Sequence, residues 1–100
     1  MTRVWHLDLL SVASVRSLVI LDAETRRIVA TEPLAGDGPS DVVRALRTVM
    51  LRTVPGWPST IVTDNARQFA GVGEAIGIEQ RFVSGLQQSA VERVLRSEAR

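Results

Sequence analysis

The stretch TIVTDN, residues 60–65, decides the fold because it places an acid where a buried strand ends. The apolar pair at 61–62 predicts a buried strand, and apolar side chains at helical spacing predict a helix over residues 66–76. Strand, acid and helix in this order place a polar group at the carboxyl edge of an open α/β sheet, where ligands bind. The pattern fits equally well an Asp64 or Asn65 that caps the helix.

The length and composition of the chain limit the classes of protein to which it can belong. The 100 residues predict one domain, 1–100, and the 45% hydrophobic content suffices for one core. The sequence contains no run of about eighteen apolar residues, so it predicts no membrane-spanning helix. Cysteine is absent, which excludes thiolate metal sites and fits a reducing compartment, so we expect a cytoplasmic protein of bacterial or phage-like origin. A metal must then be held mainly by carboxylates, which suits Mg²⁺ or Mn²⁺; we expect no organic cofactor.

The basic residues have an unusual composition. All 12 are arginine, while the net charge is only +1. Arginine holds phosphate in a bidentate fork, but a bias toward GC-rich codons gives the same skew. The net charge alone therefore neither predicts nor excludes a nucleic-acid partner.

Residues 4–10, VWHLDLL, predict the first strand. Both of its faces carry apolar side chains, which is typical of a central strand. Asp8 breaks that pattern, because aspartate is depleted in strands and costly to bury unpaired. Such local inconsistencies often mark functional sites. His6 shares the face of Asp8 and either orients a carboxylate or packs; with one histidine and no cysteine, a catalytic triad is not expected.

The remaining elements follow from periodicity and turn signals. Further strands are predicted at 14–21, 26–31 and 78–83, a helix from 39 to just before Pro55, and a last helix at 86–100. The order β-β-β-α-β-α-β-α predicts an α/β fold with a mixed five-stranded sheet, three strands antiparallel and two parallel, flanked by helices.

Three single residues carry local predictions. Asp22 is expected to close the turn between the second and third strands through its side chain. Ser40 is expected to cap the first helix. Gly77 is expected to end the second.

Three acids are predicted to converge. If the fourth strand lies beside the first, about 4.8 Å away, Asp8 and Asp64 can share one cation. Glu92 lies on the polar side of the last helix, where it either joins them or pairs with Arg96 at i, i+4. Arg93, Arg96 and Arg100 form a basic stripe beside it, which is either a phosphate contact or a solvated face.

Four segments carry a family resemblance, in the family's order and nearly end to end: WHLD at 5–8, VILDAETRRIV at 19–29, PSTIVTDNARQF at 58–69 and QSAVER at 88–93. Together they resemble the catalytic cores of retroviral integrases and insertion-sequence transposases, the DDE family. The chain departs from that family at Ala66, where glycine is usual, and in the spacing of 28 residues between the second and third acids. The family's C-terminal helices are expected to be missing.

The resemblance implies a ribonuclease-H-like fold and a metal-dependent polynucleotidyl transferase acting on DNA, as a homodimer. It implies Asp8, Asp64 and Glu92 as catalytic metal ligands, with Asp8 shared by two Mg²⁺ ions. Arg67, which lies in the third segment, joins Arg93, Arg96 and Arg100 as a predicted nucleic-acid contact. Two alternatives stay open: an inactive module that binds nucleic acid or dimerises, and a ribonuclease-H-type nuclease.

Overall fold

A computed structural model describes residues 3–53 and 56–83 of the chain. Its elements in chain order are β1 (Val4–Val12), β2 (Val15–Asp22), β3 (Ile28–Pro33), α1 (Pro39–Arg52), β4 (Thr60–Thr63), a 3₁₀ helix (Arg67–Phe69), α2 (Val72–Ile76) and β5 (Glu79–Phe82). The predicted helix at 86–100 lies outside the described residues. None of the helices in the described ranges is long and apolar enough to cross a membrane.

The five strands form one mixed sheet in the order β3-β2-β1-β4-β5. β1, β2 and β3 are an antiparallel meander, while β4 runs parallel to β1 and β5 parallel to β4. The predicted architecture is confirmed, including the central place of β1. Its apolar side chains on both faces explain that place, because a central strand has a neighbour on each side and is covered above and below.

The main core lies between one face of the sheet and α1. The apolar stripe of α1 is buried as its 3.6-residue spacing predicts: Val42, Ala45, Leu46, Val49 and Met50. From the sheet, Trp5, Leu7, Leu18, Ile20 and Ile61 pack against this stripe, and Phe69 and Val72 complete the cluster. α1 and β1, the strand that carries Asp8, therefore contribute side chains to the same core cluster.

The opposite face of the sheet also carries buried apolar residues. Val19, Leu21 and Val62 are at most 7% exposed, yet they do not belong to the core cluster. His6 lies between Leu21 and Val62 in the strand register. β2 and β4 therefore carry buried residues on both faces, and β1 between them is buried on the α1 face and partly buried on the other.

Tight turns join the meander. Ala13 and Ser14, between β1 and β2, have φ of 49° and 68°, the left-handed conformation of a two-residue hairpin turn. After β2, the Oδ1 atom of Asp22 accepts hydrogen bonds from the backbone N–H of Glu24 and Thr25, so the prediction for Asp22 is confirmed. Arg26, at φ 59°, lengthens this turn and delays β3 by two residues relative to the prediction.

Two helix predictions were wrong in detail. Residues 66–76 form two short pieces instead of one helix, because Gly71 adopts φ 70° between them. Gly38 rather than Ser40 is the N-cap of α1, and its backbone N–H donates to Asp41 Oδ2 at 3.1 Å. Gly77 ends α2 with φ 75°, as expected for a left-handed C-cap.

Candidate functional site

The pairing of β1 and β4 bears on where two of the predicted acids lie. His6 is the Cα partner of Val62, and this is the last recorded pair of the parallel ladder. Asp64 follows directly after the end of β4 at Thr63. If the register is extended by two residues beyond the recorded pairs, Asp64 falls at the level of Asp8, and adjacent strands lie about 4.8 Å apart.

Each carboxylate is oriented by a nearby backbone amide. Asp8 Oδ1 accepts the N–H of Leu9 at 2.8 Å, and Asp64 Oδ1 accepts the N–H of Ala66 at 2.9 Å. The bond of Asp64 is an Asx turn, and the N-cap of the following 3₁₀ helix is Ala66 itself. Asp64 thus shapes the turn after β4 without being the helix cap, and both acids are held by backbone donors.

A polar hub, formed by Thr63 and Gln80, lies directly beneath Asp64. Thr63, which is fully buried, donates its hydroxyl to the Asp64 carbonyl at 2.9 Å and accepts from Gln80 Nε2 at 3.1 Å. Gln80 also donates to the Phe69 carbonyl at 2.8 Å, and its Oε1 accepts the N–H of Gly73 at 2.7 Å. One side chain of β5 therefore connects β4, the 3₁₀ helix and α2 around the backbone of Asp64.

A second polar group is centred on Asp37. Asp37, in the loop between β3 and α1, pairs with Arg16 at the start of β2. It also pairs with Arg67 at 3.4 Å and accepts a hydrogen bond from Gln68 at 2.9 Å. Arg67, the predicted nucleic-acid contact, is 76% exposed on its side chain but already has a carboxylate partner.

His6 lies on the same strand face as Asp8. Its pKa is lowered from the ordinary value of 6.5, chiefly because burial disfavours the charged ring and secondly because Arg26 repels it. A neutral imidazole is therefore favoured in the folded protein near neutral pH. The interpretation of His6 as a packed side chain agrees with its partial burial and its place between Leu21 and Val62.

Only part of the predicted ligand set lies in the described ranges. Glu92, Arg93, Arg96 and Arg100 lie outside them, and their roles stay predictions. Within residues 3–53 and 56–83, no three His, Asp or Glu side chains are gathered so that they could hold a metal ion. The two carboxylates at the β1–β4 edge are hard oxygen donors of the kind that Mg²⁺ and Mn²⁺ accept.

Sequence reasoning missed Gln80 and Asp37. Gln80 carried a weak signal, because it is a polar residue on the inward side of a short strand whose exposed side carries Glu79 and Arg81. Asp37 carried no signal beyond its place in a glycine-rich loop. Its partners Arg16 and Arg67 are 21 and 30 residues away in the chain, which no local pattern encodes.

Comparisons with known proteins place the fold. No protein-family model matches the chain, and no curated protein matches it. Among solved structures, the catalytic core domain of BIV integrase matches with a TM-score of 0.71 at 14% sequence identity. The match covers 96% of this chain and 66% of that chain, slightly under two thirds of its length. This chain therefore has the ribonuclease-H-like fold of an integrase catalytic core.

Proposed function

We propose that this chain carries out metal-dependent phosphoryl transfer on DNA, as a polynucleotidyl transferase of the integrase and transposase type. The observation that carries the proposal is the parallel pairing of β1 and β4, whose register, when it is extended past the end of β4, aligns Asp8 with Asp64 at the carboxyl edge of β4. Ligands bind at this edge in open α/β sheets. The integrase-core fold and the four sequence segments support the same function.

In this proposal, Asp8 and Asp64 are the ligands of a divalent cation, and Glu92 completes the set. Such a cation stabilises the charge on a phosphoryl oxygen and lowers the pKa of a bound water or hydroxyl. The chain's own contribution is to hold the two carboxylates in place. The Leu9 and Ala66 amides orient their Oδ1 atoms, and the polar hub fixes the backbone of Asp64.

Thermal unfolding in EDTA and in Mg²⁺ or Mn²⁺ tests the metal site without a substrate. Two carboxylates at one level repel each other when no cation lies between them, so Asp8→Asn or Asp64→Asn should raise the Tm in EDTA. A gain of about 1 kcal/mol corresponds to roughly 4–8 °C in a domain of this size. Added metal should raise the Tm of the parent by mass action and do much less for either variant.

The outcome separates the candidate functions. A parent protein whose Tm does not respond to millimolar Mg²⁺ or Mn²⁺ has no metal site, and an inactive nucleic-acid-binding module becomes the better description. A parent that binds metal and cleaves RNA in an RNA–DNA hybrid, but not DNA, is a ribonuclease-H-type nuclease. Cleavage of DNA that is lost in both Asp8→Asn and Asp64→Asn supports the proposal.

A homodimer is part of the proposal and rests on the family resemblance. Sedimentation equilibrium of the parent protein at two ionic strengths checks it. A single species at the mass of two chains is the expected result, and a monomer at every concentration up to the highest soluble one contradicts it.

A further inference from the structure

Asp37 joins three segments of the chain. Its carboxylate pairs with Arg16 from β2 and with Arg67 from the 3₁₀ helix, and Gln68 donates to the same group. The 3₁₀ helix begins three residues after Asp64, and the β1 partner of Arg16 is Ser11, three residues after Asp8. Arg16 shares the strand face of Leu18 and Ile20, which pack toward α1, whereas Asp8 and its partner Val19 lie on the opposite face of the sheet. Of the two arginines, Arg67 is the one that lies close in the chain to an acid of the candidate site.

An open groove leads to this cluster. It has a volume of about 420 Å³ and is lined by Ser11, Ser14, Arg16, Gly36 and Asp37, among others. The side chains of Arg16, Asp37 and Arg67 are 39%, 54% and 76% exposed, so a ligand can reach all three. Hydroxyl donors, two guanidinium groups and an amide donor are the groups that hold a phosphate.

We propose that Asp37 occupies the place of a backbone phosphate and that DNA displaces it from Arg16 and Arg67. This inference rests on the proposed function, because it names a contact for a backbone phosphate of the DNA on which the chain is proposed to act. A carboxylate and a phosphodiester present the same chemistry to arginine, which is one negative charge spread over two oxygens. In the free protein Asp37 satisfies the two arginines; with DNA bound, a phosphate takes its place and the carboxylate turns to solvent.

The exchange is energetically accessible because the ion pairs are exposed. Exposed pairs of this kind contribute only about 0–1 kcal/mol to stability, so breaking them costs little. While it stays in the cluster, the Asp37 charge also repels an approaching phosphate. Asp37 thus restrains binding, and the chain should bind DNA more tightly without it.

A binding experiment with a matched control tests this. The affinity of the full chain for a fluorescent DNA duplex is measured by anisotropy at several salt concentrations, for the parent, Asp37→Asn and Glu79→Gln. Glu79 makes the same kind of exposed pair, with Arg81 at 2.6 Å, at the opposite edge of the sheet. Glu79→Gln therefore changes the net charge by the same amount away from the site. Thermal unfolding of each variant confirms that it is folded.

Asp37→Asn should tighten binding about threefold at low salt, the effect of removing one charge about 6 Å from a phosphate in water. The log–log salt slope should stay that of the parent, because the same phosphates are neutralised in both bound complexes. Glu79→Gln should change neither the affinity nor the slope. In the Asp37→Asn background, Arg67→Gln should weaken binding and flatten the slope by about 0.9, for one lost phosphate contact.

Other results overturn the inference. Equal tightening in Asp37→Asn and Glu79→Gln shows a general charge effect, and unchanged or weaker binding in Asp37→Asn shows that Asp37 only holds the loop in place. If the parent binds DNA and responds to metal while Asp37→Asn does not differ from it, this inference fails and the proposed function stands. If neither protein binds DNA at any salt concentration, both fail.

Discussion

Replacing Gln80 with methionine removes three hydrogen bonds at one point of the fold. The side chain of Gln80 accepts from Gly73 N–H and donates to the Phe69 carbonyl and the Thr63 hydroxyl, at 2.7, 2.8 and 3.1 Å. Methionine has similar length and flexibility, so the substitution fills the same space without a donor or a strong acceptor. The change therefore measures the hydrogen bonds and not a cavity.

The expected loss follows from the burial of the partners. Phe69 and Thr63 are fully buried and Gly73 is buried, so water does not easily replace the lost bonds. Three bonds at about 1 kcal/mol each give a net loss of about 3 kcal/mol, and orphaned buried groups cost up to about 3 kcal/mol each. For a domain of this size, about 3 kcal/mol corresponds to a Tm lower by roughly 12–24 °C.

Urea unfolding followed by circular dichroism gives the free energy, with Gln68→Met as the matched control. The side chain of Gln68 donates to the exposed Asp37 at 2.9 Å, so the same substitution there should cost less than about 1 kcal/mol. A double-mutant cycle with Thr63→Val then isolates the bond between Gln80 and Thr63, with a coupling of at least about 0.5 kcal/mol expected. Hydrogen exchange at the Gly73 amide reports the third bond directly.

A free energy of unfolding of Gln80→Met within about 0.5 kcal/mol of the parent's would refute the reasoning, because an ordinary surface substitution has an effect of that size. Equal losses in Gln80→Met and Gln68→Met would refute it too. In both cases the polar hub does not hold β4, the 3₁₀ helix and α2 together, and Asp64 must be positioned by its own turn.

Three further substitutions test other parts of the structure by thermal unfolding. Ala13→Asn combined with Ser14→Gly places the two residues that favour positive φ in the left-handed hairpin turn. The double variant should gain about 1 kcal/mol in the free energy of unfolding, which raises the Tm by roughly 4–8 °C. An unchanged Tm would contradict the assignment of this turn. Gly73→Ala should destabilise by about 1–3 kcal/mol, because its Cβ would lie 2.6 Å from the Ile78 carbonyl oxygen. The pKa of His6 is lower in the folded protein than in the unfolded chain, so the unfolded chain binds the proton more readily. The contribution of His6 to the free energy of unfolding is therefore fully present above pH 6.5 and is lost as the pH falls through the folded pKa. His6→Leu should flatten this pH dependence of the Tm, and an unchanged profile would assign the dependence to other groups.

The sheet and α1 could be predicted from the sequence because their signals are local and periodic. Alternation and apolar runs located the strands, and the connections between them set the order of the strands. The five apolar residues spaced along α1 are the ones that the core buries. These elements are determined by which side chains leave water, and the sequence pattern encodes that directly.

The parts that could not be predicted depend on partners far apart in the chain or on one residue's backbone angle. Gly71 interrupts the second helix because it adopts a positive φ, whereas glycine within a helical pattern is often tolerated. Gln80 and Asp37 act through bonds to residues 7 to 31 positions away. At the site, the parallel pairing of β4 with β1 could be predicted from the order of the elements, but the polar hub of Thr63 and Gln80 could not.

Asp8 shows how the sheet resolves a conflict that is visible in the sequence. β1 continues to Val12, four residues beyond Asp8, and pairs with β2 throughout. On the other side, β4 ends at Thr63, one residue before the level of Asp8. The hydrogen-bonded ladder between β1 and β4 therefore stops before the level of Asp8, and Asp64 follows the end of β4. Asp8 is only partly buried. An acid in the middle of a central strand is tolerated here because it stays partly exposed and its Oδ1 accepts the backbone N–H of Leu9.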